Sequence, residues 1–314
     1  MKILIADQMH PSLFAMLESQ GWTYDYHPDF RRDDIISCLA QYDGLIIRSK
    51  TRIDEELLTQ ATRLRFIARA GAGLDLIDDT ATHRLGITLF HAGSGNRDAV
   101  AEHTVGMLLM LFNNLNRADR EVRQAIWDRE GNRGVELMGK TVALIGYGNN
   151  GTATAQRLSG FGCRVLAYDK YREYYSDQYA REATLADIQR EADILSLHIP
   201  LTDLTRNMVN ESFISGFHKP FYLINVSRGE IVNSEAVVQA MKDGKILGVC
   251  LDVLENEKLS QLTNLQQETF DYFRNSSRVV LSPHIAGWTH ESYVRINEVL
   301  VQQIATWAVG QEAK

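Results

Sequence analysis

Thr141-Val-Ala-Leu-Ile145 runs directly into Gly146-Tyr-Gly148-Asn-Asn-Gly151 and then into Thr152-Ala-Thr-Ala-Gln-Arg-Leu158. The first five residues suit a buried strand, the last seven suit a helix, and the glycines stand in the turn between them. Gly146 allows the tight turn, Gly148 lets a pyrophosphate approach the backbone, and Gly151 lets the helix pack closely on the sheet. The start of that helix offers free N–H groups to an anion. The following strand ends in Ala167-Tyr168-Asp169. A carboxylate at that place hydrogen-bonds the adenosine ribose of NAD and repels the additional phosphate of NADP. Lys170 and Arg172 follow at once and keep NADP open as a minor alternative. Glycine-rich strand-to-helix turns also serve packing alone, so a flavodoxin-like sheet without cofactor is the competing reading.

Outward from this turn, short β-branched runs alternate with helical stretches. Before it, strands are expected at Ile3–Ala6, Leu45–Ile47, Phe66–Ala68 and Ile87–Leu89, with a helix opened by Pro11 and carrying Leu13, Phe14 and Leu17. After it, strands are expected at Thr141–Ile145, Arg164–Tyr168, Asp193–Leu197, Tyr222–Val226, Leu247–Asp252 and Arg278–Leu281. This is the pattern of parallel sheets covered by helices on both faces, and the second set matches a complete dinucleotide-binding sheet. The stretch from about Ala99 to Asn116 is apolar nearly all round and is expected to be a helix buried between two domains. Lys258–Ser277 is polar and weakly periodic and reads as a long loop with at most one helical turn. Tyr293, Ile296, Leu300, Ile304 and Trp307 stand at helical spacing in a final helix.

The 314 residues suit about two domains. With 33 basic and 40 acidic residues the formal charge is −7, which argues against a nucleic-acid partner. No run is long and apolar enough for a membrane span, and Met1–His10 lacks the features of a secretory leader. Cys38, Cys163 and Cys250 are odd in number and far apart, which suggests neither a disulfide framework nor a metal site and points to a reducing cytoplasm.

Three segments end at the carboxyl edges of expected strands, where ligands sit in open α/β sheets. They are Asn225-Val-Ser-Arg228-Gly229, Leu251-Asp252-Val-Leu-Glu-Asn-Glu257 and Ser282-Pro-His284-Ile-Ala-Gly287. Together with Arg69-Ala-Gly71-Ala-Gly73-Leu-Asp75, Asn96-Arg-Asp-Ala-Val-Ala-Glu102-His103 and His198-Ile-Pro200-Leu-Thr202, they make the chain resemble the D-isomer-specific 2-hydroxy acid dehydrogenases over essentially its whole length. The resemblance implies two doubly wound parallel-sheet α/β domains. A Rossmann NAD-binding domain, residues 99–287, would be inserted in a discontinuous flavodoxin-like substrate domain, residues 1–98 and 288–314.

It also implies roles. Arg228 falls on the family's catalytic arginine, Glu257 on its acidic partner and His284 on its acid/base histidine. The residue types fit the chemistry: a histidine moves a proton near neutral pH, a buried carboxylate beside it favours the imidazolium, and an arginine fork binds a carboxylate. Each also has a plainer reading: Arg228 as a turn residue, Glu257 as one of several solvated acids with Glu255 its rival, His284 as a strand cap. Asp252 would hold the nicotinamide amide. Asn149, Asn150, Ile199, Val226, Ser227 and Gly287 would line the NAD beside Gly146, Gly148, Gly151 and Asp169. Ala72 and Gly73, in a loop after a strand, would present backbone N–H groups to a small carboxylate; an ordinary turn is the plainer reading. His103 and His198 receive no catalytic role, and no metal is implied.

Ile47-Arg48-Ser49-Lys50-Thr51 resembles the segment by which 3-phosphoglycerate dehydrogenases reach the substrate phosphate, and Arg129 lies where those enzymes often carry a second basic residue. A solvated surface arginine is the plainer reading of Arg48. The expected reaction is NAD-dependent hydride transfer on a small anionic D-2-hydroxy acid, foremost 3-phosphoglycerate to 3-phosphohydroxypyruvate in serine biosynthesis. A glyoxylate or hydroxypyruvate reductase is the near alternative, and an NAD(H)-sensing corepressor-like interaction protein the alternative of another class. The chain ends soon after its last helix, so a form without a C-terminal regulatory domain is expected. A homodimer through the apolar helix and the loop before Gly139 completes the reading. The sequence departs from the family pattern at Lys258, where proline is usual, and at Ala99 and Asn150.

Overall fold

The computed structural model describes residues 1–312; Ala313 and Lys314, the end of the expected 288–314 segment, lie outside the described residues. The chain forms two compact units, one from Met1–Arg97 with the segment that begins at Trp288, the other Asp98–Gly287.

The first unit contains β1 (Lys2–Ile5), β2 (Thr23–Tyr26), β3 (Gly44–Ile47), β4 (Phe66–Arg69) and β5 (Thr88–His91). They form one parallel sheet in the order β2-β1-β3-β4-β5, the flavodoxin-like arrangement. Side chains alternate between its faces. Leu4, Leu45, Ile47 and Ile67 enter one core, whereas Ile3, Ile5, Ile46, Phe66 and Ala68 enter another. The helix His290–Glu312 adds Ile296, Leu300, Val301 and Ile304 to the second of these, so the carboxyl-terminal helix completes a sheet begun at the amino terminus.

The second unit contains β6 (Thr141–Ile145), β7 (Arg164–Tyr168), β8 (Arg181–Glu182), β9 (Ile194–Leu197), β10 (Phe221–Asn225), β11 (Ile246–Leu251) and β12 (Val279–Leu281). All pairs are parallel, in the order β12-β11-β10-β9-β6-β7-β8. The order reverses between β6 and β9, which is the topological switch of the Rossmann fold. Ala143, Ile145, Leu195, Leu223 and Val249 serve one face; Val142, Leu144, Ile194, Ile224 and Cys250 serve the other.

The structure corrects two expectations. The apolar stretch expected from Ala99 to Asn116 is a helix over Arg97–Phe112, followed by a second helix over Leu115–Arg123. Asn114 takes a φ of 52°, the left-handed conformation in which asparagine can end a helix. Val105, Met107, Leu108 and Leu111 of the first helix pack into the second unit's core with Val142, Leu144 and Cys250. The expected loop Lys258–Ser277 contains a helix over Asn264–Asn275, started by a capping box in which Thr263 and Gln266 bond each other's backbone N–H. Two strands went unanticipated. β2 is an edge strand with Asp25 in its middle, and β8 has two residues, both exposed.

Candidate active site

The glycine turn sits at the carboxyl end of β6, at the switch point. Gly146 has a φ of 95°, and a Cβ there would stand 2.3 Å from the His198 carbonyl oxygen. A Cβ on Gly151 would meet the Gly146 carbonyl oxygen at 2.1 Å, so helix and turn could not approach as they do with any larger residue. At Gly148 a Cβ would meet nothing within 4 Å. That glycine borders open space, as a cradle for a pyrophosphate requires. The helix Asn149–Leu158 has no side-chain cap at Gly148, which leaves its first N–H groups available to an anion. Asn150 Oδ1 is buried without a hydrogen-bond partner. These features fit a dinucleotide.

Asp169 follows β7. Its Oδ2 accepts the Tyr147 N–H at 2.9 Å and its Oδ1 the Tyr171 N–H at 3.0 Å, so the acid is tied to the glycine turn itself. Arg172 donates to the Tyr147 carbonyl. The basic residue that keeps NADP open is therefore also anchored on that turn.

At the ends of β9 and β10, Ser227 Oγ donates to the Leu197 carbonyl at 2.8 Å and accepts the Ile199 N–H at 3.2 Å. Val226 is buried beside it. Ser227 thus locks two neighbouring strand ends. His198, between them, bonds Ser196 Oγ through Nε2 at 2.9 Å, while its Nδ1 is sealed from solvent without a partner. Burial pushes this ring down to about 4, so it is neutral in ordinary working conditions.

Arg228 is half-buried, and one guanidinium nitrogen donates to the Ser227 carbonyl at 2.7 Å. Gly229 follows because nothing larger fits: a Cβ there would lie 1.9 Å from the Leu254 carbonyl. That close crossing fixes Arg228 against the loop after β11.

The two acids of the same loop make different contacts. Glu255 accepts the Ser234 N–H at 3.2 Å and so serves the start of the helix Ser234–Lys242. Glu257 Oε1 stands 2.8 Å from His284 Nδ1, an ion-pair contact. The pair joins two adjacent strand ends, because β11 and β12 are neighbours. Its side chains are 49% and 43% exposed, which corrects the expectation of a buried carboxylate. With Nδ1 engaged by Glu257, Nε2 is the nitrogen left for a substrate.

Asp252, only 1% exposed, ends β11. Its Oδ1 accepts from Ser282 Oγ at 2.6 Å and from the Ile285 N–H at 2.9 Å, and its Oδ2 from the Ala286 N–H at 2.8 Å. Burial alone would raise this carboxyl; the nearby His103 ring and the bonds from Ser282, Ala286 and Ile285 outweigh it and bring it to about 2. These oxygens are already occupied by the turn that carries His284. Gly287 closes that turn and is the last residue of the unit.

The first unit holds its own cluster at the carboxyl edges of β3 and β4. Asp7, buried, accepts the backbone N–H groups of Arg48 at 2.5 Å and Ser49 at 3.1 Å. The Arg48 guanidinium lies 3.7 Å from the ring centroid of Trp288 and 5.3 Å from that of Tyr293. Burial lowers its pKa somewhat, and the neighbouring Tyr293 and Asp7 oppose that. Arg48 is thus a stacked arginine rather than a solvated one. Ala72 and Gly73 follow β4, beside Arg48 in the order of the sheet. Arg129 stands in the second unit on an exposed turn. Asp7, Trp288 and Tyr293 escaped the sequence reading, because no spacing links an aromatic pair near residue 290 to an arginine at 48.

Residues 105–286 match the family of D-isomer specific 2-hydroxyacid dehydrogenase NAD binding domains. A glyoxylate reductase of Thermofilum pendens is 35% identical over 287 residues, covering 89% of this chain and 82% of that protein. A D-3-phosphoglycerate dehydrogenase of Archaeoglobus fulgidus is 29% identical over 312 residues, covering 99% of this chain and 58% of that one, so the chain spans a little over half of that relative's length. Among solved structures, a D-lactate dehydrogenase from Aquifex aeolicus, complexed with NAD and lactic acid, superposes with a TM-score of 0.84 at 26% identity, covering 99% of this chain and 96% of the other. On its sequence and on its fold, the chain belongs to the D-isomer specific 2-hydroxyacid dehydrogenases, a family of NAD-dependent oxidoreductases.

Proposed function

We propose that this chain oxidises 3-phosphoglycerate to 3-phosphohydroxypyruvate, and reduces it in reverse, with NAD as cofactor. The observation that carries the hydride-transfer reading is the 2.8 Å contact between His284 and Glu257 at the carboxyl edge of a sheet whose switch point bears the glycine turn. Gly146, Gly148, Gly151, Asn149 and Asn150 would cradle the pyrophosphate, Asp169 the ribose, and Ile199, Val226, Ser227 and Gly287 would flank the remainder. NAD held there would supply a hydride acceptor, its nicotinamide C4. His284 takes the hydroxyl proton on Nε2 as the substrate is oxidised and returns it to the carbonyl oxygen in reduction. Glu257 orients the imidazole from its Nδ1 side. Arg228 offers its fork to the substrate carboxylate and draws charge toward the keto oxygen.

Arg48 supports the phosphorylated substrate. A guanidinium stacked on Trp288 and hydrogen-bonded to Tyr293 has further N–H groups along its edge, and edge donors are what bind a phosphate bidentately. Ala72 and Gly73 would offer backbone N–H groups to the carboxylate, and Arg129 a second positive charge. Reduction of glyoxylate is the second reading, favoured by the 35% identity to the Thermofilum pendens enzyme. Initial rates decide between them, followed by NADH absorbance with 3-phosphoglycerate, hydroxypyruvate and glyoxylate. In the Arg48→Ala variant, KM should rise by about tenfold or more for the phosphorylated acid and little for glyoxylate. Equal losses on all substrates would remove the phosphate assignment. Failure of every acid to turn over, with NADH still bound, would favour a dinucleotide-sensing interaction protein.

We also infer a homodimer. The exposed apolar side chains Leu115, Val122, Ile126, Trp127, Val135 and Met138 support it, all lying within one stretch of the second unit.

A further inference from the structure

His284 has a φ of 56°, a left-handed backbone that a non-glycine residue rarely adopts without being held there. The hold is on one residue. Asp252 accepts the His284 N–H through its backbone carbonyl at 2.7 Å, and the Ile285 and Ala286 N–H groups through its carboxylate. The third donor to that carboxylate is the Ser282 hydroxyl at 2.6 Å. A serine hydroxyl has one proton, and here it goes to Asp252. The 2.9 Å contact between Ser282 Oγ and His103 Nε2 therefore has the ring donating and the hydroxyl accepting, which fixes His103 as the Nε2–H tautomer. His103 Nε2 also stands 3.5 Å from Asp252 Oδ1.

His103 comes from the helix Arg97–Phe112, whose Val105, Met107 and Leu108 are anchored in the core of the same unit. A rigid element thus reaches, by a directed chain of donors, the carboxylate that organises the turn after β12. A buried carboxylate with unfilled acceptor positions is costly, so a missing donor at this point is felt by the whole turn.

We infer that His103 and Ser282 are positioning residues for the reaction: acting through the Asp252 carboxylate, they hold the 282–286 turn in the conformation that presents the His284 imidazole. The inference rests on the acid/base reading of His284 given above. It assigns no proton transfer to His103 itself.

The test compares His103→Leu, which removes the donor, with His103→Gln, whose amide can replace it, and Ser282→Ala with Ser282→Thr. Each full-length variant is measured for kcat, for KM of the acid, for the dissociation constant of NADH, and for hydrogen exchange of the peptide spanning 282–287. His103→Leu and Ser282→Ala should lower kcat by about 10- to 100-fold, because an imidazole displaced by an ångström loses that much. KM and NADH affinity should stay near those of the unsubstituted chain, and exchange at Ile285 and Ala286 should accelerate. The Gln and Thr variants should recover most of both losses. Unchanged kcat and exchange in His103→Leu would overturn the inference, as would a Gln variant no better than Leu. An unsubstituted chain that turns over no 2-keto acid defeats the acid/base reading of His284 instead. The exchange rates then still decide the hold on the turn, since they need no substrate: acceleration upholds it and unchanged protection overturns it.

Discussion

The two acids of the loop after β11 differ in what they touch, and that difference is measurable. Glu257 contacts His284, whereas Glu255 serves a helix start. Glu257→Gln keeps the shape but removes the negative charge beside the imidazole, and should lower kcat by about tenfold or more. Glu255→Gln should leave kcat near that of the unsubstituted chain and show its effect in thermal stability; equal kcat losses from both substitutions would reverse the assignment. His284→Ala should cost about 10²- to 10⁴-fold in kcat with NADH binding retained. His198 makes a prediction of another kind. Its ring stays neutral down to about 4 in the folded chain, against an ordinary value of 6.5. Between those values the unfolded chain takes up a proton that the folded chain does not, so this ring withdraws stability as pH falls through that window. The drop in melting temperature from pH 7 to pH 4.5 should be smaller in His198→Asn than in the unsubstituted chain, and an equal drop would show that the ring titrates freely.

At the scale of elements, the helix Asn264–Asn275 depends on its start. Thr263→Ala removes one side of the capping box and should cost about 1 kcal/mol of stability, read from chemical denaturation. Thr263→Ser should be nearly neutral, and equal losses in both would mean that the cap contributes nothing. The Thr-x-x-Gln signature was present in the sequence, but Gln261, Asn264, Gln266 and Gln267 mask any apolar period around it. What could be read in advance follows the same logic. The interior strands β3, β4, β6, β7, β9, β10 and β11 are buried on both faces, so unbroken apolar runs betray them. The edge strands β2 and β8 face solvent on at least one side, and their residues carry no such mark. The residues proposed for catalysis could be singled out because Arg228 and Glu257 follow the runs of β10 and β11, and His284 follows the short apolar run of the edge strand β12. Their supports were not. Ser282 with His103, and Arg48 with Trp288, are contacts between residues far apart in the chain, which only the folded arrangement brings within reach.

For the whole molecule, burial leaves one feature unaccounted for. The helix Leu115–Arg123 has no buried residue at all, and the stretch that follows carries Trp127 at 84% and Met138 at 72% exposure. Large apolar side chains scattered singly are ordinary on a protein surface, but six within 24 residues of one chain form a concentration that water disfavours. A stable interface removes about 800 Å² from each partner, with aromatic and methionine side chains enriched at its centre. A second copy of this chain supplies the same side chains and is always present at equal concentration. A net charge of −7 opposes association only weakly at physiological salt, where charges more than about 8 Å apart are largely screened. Sedimentation velocity at micromolar concentration should therefore give the mass of two chains. The double substitution Trp127→Asp and Met138→Asp should give the mass of one, with circular dichroism unchanged. If the unsubstituted chain sediments as a monomer, these side chains face water in solution and the homodimer is ruled out; a dimer that survives both substitutions would move the interface elsewhere on the surface.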